Sequence, residues 1–436
     1  MAKPETRQSS LGEIFTRDFV ILAMINLSMF FGFQMTTVGI PVYMAQLGAS
    51  AQIVGLAATL LTVTATAMRV FAGPTLDRFG RTGLLLGGIA IMACSIFAYA
   101  VFPIVGIIMG LRLIQGIGWG AGSTASSTIA ADIIPKRRFA EGMGYFAMTN
   151  ALSSAIAPAV SIELAQGAGG VYMVYVATGI TCLALVLAIA EVALNRRKNG
   201  DATQQAIPTE ADKNPDQQPA KPPIDHVANQ GRGYDPAANV PAPTSKFDRV
   251  FERRALVPGL LMLLVNVGFG CITTFIALHA VEQGVGNVTP YFVVYAIVTL
   301  LSRPLIGKLI DRYGYRIPAI LSTLCSAGTL VLIGASSSIA MFGVAGVFAG
   351  LGIGTAMSTF QAMAVASVEP WRRGVATSTF MTAFDLGIGI GQFSGGFVAG
   401  AFGYGTMFFI VAAFPLAASL ISFAAIRKGD GARRER

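Results

Sequence analysis

Long apolar stretches alternate with short polar turns along almost the whole chain. Phe19 to Met44, Gly83 to Phe102 and Val171 to Ala190 are each long enough to cross a hydrocarbon core, which takes roughly 20 residues of helix. The pattern predicts twelve such helices, over 19–44, 52–75, 83–102, 104–133, 140–165, 171–194, 255–281, 290–310, 317–335, 338–368, 374–401 and 404–427. The apolar runs stop between Asn195 and Arg254, where eight of the twenty prolines fall and ten basic residues nearly balance eight acidic ones. Such a segment cannot bury enough apolar surface to fold alone. Residues 195–254 are therefore expected to form a disordered linker between two six-helix bundles, 1–194 and 255–436.

The two halves repeat each other. "GPTLDRFGR", Gly73 to Arg81, returns as "GKLIDRYGY", Gly307 to Tyr315. Arg69, Gly73, Asp77, Arg78 and Gly80 recur as Arg303, Gly307, Asp311, Arg312 and Gly314, each displaced by 234. The same displacement carries Gly116, Gly118 and Gly120 onto Gly350, Gly352 and Gly354, and "PKRR" at Pro135 matches "PWRR" at Pro370, displaced by 235. Three motifs in one order at nearly one spacing are an internal duplication, and parallel six-span repeats mark one large class of secondary transporter. The charged stretches read as tight turns, with Gly73 and Gly307 placed for close helix packing.

Charge fixes the expected orientation. Only 12% of residues are charged, about half the share in a soluble domain. With both termini in the cytoplasm, 28 of the 31 Lys and Arg fall in cytoplasmic segments or the span ends that meet them. The other three, Arg69, Arg112 and Arg303, lie deeper within spans, and the outer loops carry none. This satisfies the positive-inside rule. The net charge of +9 is then a topology signal, and no nucleic-acid partner is expected. Residues 1–18 are polar and the first apolar run is too long for a signal-peptide core, so the first span is expected to act as its own insertion signal. The four cysteines fall inside spans without CxxC spacing, and one of the two histidines, His226, lies in the linker. Neither disulfides nor a metal site are expected. With no P-loop and no nucleophile–base set, the chain reads as neither a nucleotide-driven pump nor an enzyme.

On these residues the chain resembles the major facilitator superfamily across essentially all of both halves. The family's signature between the second and third spans, G-x-L-x-D-R-x-G-R-R, is matched by Gly73, Asp77, Arg78, Gly80 and Arg81, with the leucine displaced by one to Leu76. Its fourth-span signature, R-x-x-Q-G, is matched by Arg112, Gln115 and Gly116. The family's antiporter signature in the fifth span ends in Gly-Pro, and here "AIAP", Ala155 to Pro158, puts alanine in the glycine's place. The resemblance implies an all-α membrane fold of twelve helices in two pseudo-symmetric bundles, with both termini cytoplasmic. It also implies a monomeric secondary transporter in the bilayer of the bacterial inner membrane. Asp77 would latch against the start of span 11 near Arg373 and Gly374, and Asp311 likewise near Arg138 and Ala140. A carboxylate at a helix N-terminus is stabilised by about 0.3–1 kcal/mol, a modest energy for a contact that must break in every cycle.

The chemistry is expected at mid-membrane, where polar groups are costly. Asp385 lies twelve residues beyond Arg373, roughly 18 Å into a helix, and the duplication superposes Asn150 on it. Ser378, Thr382, Asp385, Gly389 and Gln392 share one helix face, while Gly387, Gly391 and Gly395 form another suited to packing. Burial raises a carboxylate's pKa, so Asp385 either carries protons or only hydrogen-bonds a neighbouring helix. Arg112, Gln115, Trp119 and Ser123 share a face of span 4. There Arg112 needs a counter-ion, a watery cavity or backbone carbonyls, and Trp119 either stacks on substrate or packs. Asn26, Gln34, Asn266 and Thr273 are cavity liners or helix–helix hydrogen bonders. The expected function is a proton-coupled exporter of a small organic drug or metabolite, working by alternating access with protons as the driving partner and no cofactor. Uptake of a sugar, organic acid or osmolyte is the alternative, and a channel or receptor the distant one.

Overall fold

The computed structural model describes residues 13–167, 169–205, 251–369 and 372–426, without the side chains at 70, 72–79, 136, 140, 195–205, 304 and 311. All regular structure among them is helical. The first half contains α1 (Arg17–Gln46), α2 (Ala51–Val70), α3 (Ala72–Val101), α4 (Val105–Ile133), α5 (Phe139–Gly167) and α6 (Gly170–Gln205). The second contains α7 (Leu256–Glu282), α8 (Thr289–Tyr313), α9 (Arg316–Gly334), α10 (Ile339–Ala366), α11 (Arg373–Phe402) and α12 (Tyr404–Ala425). Helix thus covers each expected segment, and nine helices among the described residues are long and apolar enough to cross a membrane. Helices suit that setting because each satisfies its own backbone where no water can. Threonine hydroxyls at that depth bond back to their own helix, as Thr59 and Thr66 do to Gly55 and Thr62 carbonyls at 2.8 Å.

Each half is packed alike. α4 lies on α2 and α3 as α10 lies on α8 and α9, and α1 lies on α5 and α6 as α7 lies on α11 and α12. The duplicated glycines make these contacts. Gly116 and Gly120 meet α2 at Leu61 and Ala65, and Gly118 meets α3 at Gly88. Gly350 and Gly354 meet α8 at Val298 and Thr299, and Gly352 meets α9 at Ser326. In α10 this stretch, Gly350–Gly354, winds into a π-helical turn, a departure from α4 that the sequence pattern does not foretell.

The repeated charged stretch differs from its expected form. It is not a turn: residues 72–79 are helical and the chain reverses at Gly80, just as α8 runs to Tyr313 and reverses at Gly314. Both reversal glycines adopt positive φ, 71° and 72°, a region from which a Cβ is sterically disfavoured. The six positive-φ residues described are all glycines and form three pairs, Gly48 with Gly284, Gly80 with Gly314 and Gly169 with Gly403, displaced by 236, 234 and 234. The duplication therefore persists in the backbone itself. Gly307 does not make the close contact expected of it, because a Cβ there would meet open space. Gly73 lies outside the described side chains.

Regular structure and ion pairs reach into both edges of the 195–254 segment. α6 continues past residue 194 to Gln205, and residues 251–254 are docked on the second half, where Glu252 pairs with Arg372 and Arg254 with Glu369 at 3.3 Å. The first half has an equivalent strap, Glu13 to Arg137 at 2.5 Å. Residues 206–250 lie outside the described ones.

Candidate functional site

α11 is clasped between two helices. Its glycine face presses on α7, where Gly387 and Gly391 meet the carbonyls of Leu263 and Val267, and Gly395 meets Cys271 and Phe275. Its polar face meets α2, across the boundary between halves. Thr59 Oγ1 donates to the Gly389 carbonyl at 3.3 Å, and Thr62 Oγ1 donates to Gln392 Oε1 at 2.9 Å. Gly55 lets the two backbones approach at Gln392 and Gly396. Further along the same face Asp385, 8% exposed, accepts from Arg69 Nη1 and forms an ion pair with it. The Arg69 side chain is about a third exposed and its partner's only 11%, so the pair sits at the edge of buried and open space. Ser378 and Thr382 continue the face without crossing it, and Thr382 Oγ1 bonds back to the Ser378 carbonyl at 2.9 Å.

The remaining expected residues fall into separate groups. Asn150, the counterpart of Asp385, is tied within its own half: its Oδ1 accepts from Asn26 Nδ2 at 2.7 Å. Asn26 Nδ2 also donates to Thr149 Oγ1 at 2.7 Å, and its Oδ1 accepts from Ser126 at 3.0 Å. Asn26 therefore joins α1, α4 and α5. Arg112 is buried inside the first half, far along α4 from any carboxylate pairing. Its Nη2 donates to the Thr36 carbonyl at 2.9 Å, its guanidinium stands 6.0 Å from the Tyr99 ring centre, and its Nε has no partner. Gln115 completes that cluster, accepting from Tyr99 at 2.6 Å and donating to Thr36 Oγ1 at 2.8 Å. Backbone and neutral dipoles hold this cation, the third of the options its sequence position left open. Trp119 packs, lying face to face on Phe33 with centres 3.6 Å apart and edge-on to Phe30. Asn266 donates to the Phe384 carbonyl at 3.0 Å and so holds α7 to α11.

Gln34 and Thr273 do meet at the boundary between halves. With Ser154, Phe269, Tyr291 and Tyr295 they line a narrow cavity formed by α1, α5, α7 and α8. Gln34 Nε2 donates to Ser154 Oγ across it at 3.0 Å. Near the turn between α7 and α8, Asn287 Nδ2 donates to Glu163 of α5 at 3.4 Å, closing that end. At the basic end, Arg81 pairs with Asp132 of α4, and Arg312 stands 5.2 Å over the Tyr313 ring. Asp77, Arg78 and Asp311 lie outside the described side chains, as does Ala140.

Arg69 is the member of this candidate site that sequence reading missed. It was visible as an arginine deep in a span, but its partner is 316 residues away. The usable signal was the pairing of two repeats, Arg69 with Arg303 and Asp385 with Asn150.

A family model described as Major Facilitator Superfamily matches residues 22–294 and 291–435. The staphylopine export protein of Staphylococcus aureus (strain Mu50) is 22% identical over 412 residues, 93% of this chain and 95% of that protein. An MFS-type transporter of Burkholderia mallei (strain SAVP1) is 32% identical over 161 residues, 36% of this chain and 39% of its own. Among solved structures, the nucleoside transporter NupG matches with a TM-score of 0.68 at 13% identity, covering 94% of this chain and 99% of that one. A bacterial homologue of the human lysosomal transporter Spinster, inward-facing and unoccupied, matches with a TM-score of 0.69 at 16% identity, covering 93% and 96%. At these identities the structures speak for the fold.

Proposed function

The chain belongs to the Major Facilitator Superfamily, whose members are membrane transporters and not enzymes, and from that premise we propose that it is a proton-coupled exporter of a small organic solute. The Arg69–Asp385 pair carries this reading. It is the ion pair that bridges the halves among the described residues, joining the last turn of α2 to the middle of α11, and a rocking transporter must break and remake such bridges. Protonating Asp385 would remove the negative charge and release Arg69, leaving the hydrogen bonds of Thr59 and Thr62 to hold α2 against α11. Deprotonation would restore the bridge. Each inward proton supplies roughly 2.3 kcal/mol per 100 mV, comparable to the cost of separating a partly exposed pair. Export, rather than uptake, is supported by the staphylopine exporter, which aligns over nearly the full length of both chains. The bacterial relatives and the basic end support a bacterial cytoplasmic membrane with that end inside.

The test begins by comparing metabolites inside and outside cells with and without the protein, to identify the solute. Counterflow in sealed vesicles under an imposed pH gradient then reads direction. Solute accumulation on the acidic side, driven by pH alone, is the expected result. Accumulation on the alkaline side would mean uptake, and indifference to pH would end the proton-coupled reading.

A further inference from the structure

The two halves offer the same pair of positions and fill them differently. Arg69 and Arg303 are 234 residues apart, and Asp385 and Asn150 are 235 apart. α5 packs against α8 as α11 packs against α2. In one arm the guanidinium meets a carboxylate. In the other the acid's place is held by Asn150, whose Oδ1 is already engaged by Asn26. Arg303 is exposed, and among the described residues it has neither an ion pair nor a hydrogen bond.

Arg303 also faces the right way. Leu301 and Leu305, 64% and 63% exposed, mark the outer face of α8. Two residues along a helix turn by about 200°, so Arg303 points away from that face. Thr299 and Tyr295 lie on the arginine's own face at four-residue steps. Tyr295, stacked with Tyr291 at 6.2 Å between ring centres, lines the cavity between the halves, whose walls carry no charge. Eight residues separate Tyr295 from Arg303, about 12 Å along the axis, and the long arginine side chain can span part of that distance.

We propose that Arg303 is the docking cation for the transported solute, and that the solute is a small monocarboxylate whose uncharged body enters the cavity beside Tyr291 and Tyr295. This deepens the transporter reading and rests on it. A guanidinium keeps its charge in any protein, and at membrane depth a lone charge is costly. One arm supplies the compensating acid, and the other leaves it to be brought in. A carboxylate matches the planar fork of arginine with two parallel hydrogen bonds and cancels one positive charge. A phosphate monoester, carrying about −1.5 to −2, would leave excess negative charge against uncharged walls. Gln34, Ser154 and Thr273 supply hydrogen bonds for a neutral polar body.

The experiment measures thermal stabilisation of the purified full chain by carboxylates and their primary amides. Benzoate is set against benzamide and nicotinate against nicotinamide, with phenyl phosphate as a third arm. At least one carboxylate should stabilise the protein saturably while its amide does not. Arg303→Gln should weaken that binding ten-fold or more, and Arg303→Lys should recover part of it. Asn150→Asp should abolish it, because the new acid would occupy Arg303 from within while still accepting from Asn26. Unchanged binding in a folded Arg303→Gln protein overturns the proposal, as does the absence of any carboxylate-specific stabilisation. Preference for phenyl phosphate overturns the carboxylate assignment. Proton coupling is read separately through Asp385, so loss of the Arg303 effect with pH-driven transport intact sinks this inference alone.

Discussion

The helix pairs α1–α5 and α7–α11 occupy equivalent places in the two halves, yet different forces join them. α1 and α5 are laced by side-chain hydrogen bonds: Asn26 to Thr149 and Asn150, Ser153 to the Leu27 carbonyl, Gln34 to Ser154, and Ser161 to the Met35 carbonyl. α7 and α11 meet largely through glycine, with Gly387 and Gly391 against backbone carbonyls and Gly270 against Ile388. Close backbone approach and interhelical hydrogen bonds are the two means of helix association in lipid. The difference bears on function. Asn150 is used up inside its own half, whereas the glycine seam asks nothing of Asp385, which is left to reach across to Arg69.

The sharpest way to break this contrast is Gly391→Val. Its side chain would overlap the Val267 carbonyl, and backbone cannot yield as a flexible side chain can. Overpacking of this kind costs typically about 1–3 kcal/mol, or more, so the protein should lose most of its folded yield by size-exclusion chromatography. The equivalent residue in α5 is Ile156, 43% exposed, and Ile156→Val should stay within about 0.5 kcal/mol. Similar losses in both would refute the contrast.

The next effect belongs to the polar lacing. Asn26→Ala strands Thr149, Asn150 and Ser126 at once and should cost about 1–3 kcal/mol, seen as a lower melting temperature in detergent. Asn266→Ala removes one bond from the glycine-joined pair, and a single interhelical bond in membranes averages about 0.6 kcal/mol.

The smallest effect separates the two straps. Glu252 is buried and Arg372 mostly so, while Glu13 and Arg137 are 40% and 75% exposed. Glu252→Gln should lower stability by about 1.5–2 kcal/mol, the lower end of the range for hydrogen bonds to charged groups, and Glu13→Gln should lower the melting temperature only slightly at neutral pH. The hydrogen bond from Arg137 holds the Glu13 carboxyl below its ordinary value of 4.5. A carboxylate depressed in this way stabilises the folded state above pH 4.5, and loses that contribution as pH falls through its folded value. Melting curves of wild type and Glu13→Gln should therefore converge fully only below pH 4.5.

The sequence displayed the helices, the duplication and the reversal glycines, because each is written locally or repeats at a fixed displacement. Gly80 and Gly314 are legible for that reason. What it hid depends on which helix faces which. Nothing local distinguishes Asn26, a structural knot, from a cavity liner, or tells that Trp119 rests on Phe33. Gly307 repeats Gly73 in sequence but touches no neighbour. The same glycine spacing gives a regular turn in α4 and a π turn in α10. The stretch after Gly73 reads as a turn from its charge, although it is helical and the chain reverses only at Gly80.

Asp385→Asn is the most direct test of coupling through the bridge between halves. The substitution is nearly isosteric, keeps hydrogen-bonding capacity, and copies what the first half carries at Asn150. In sealed vesicles holding the identified solute, the variant should fold, insert and exchange solute across the membrane. It should fail to concentrate solute when a pH gradient is the sole driving force. If Asp385→Asn still concentrates solute against its gradient to the wild-type extent on pH alone, Asp385 serves structure, and the coupling acid lies elsewhere.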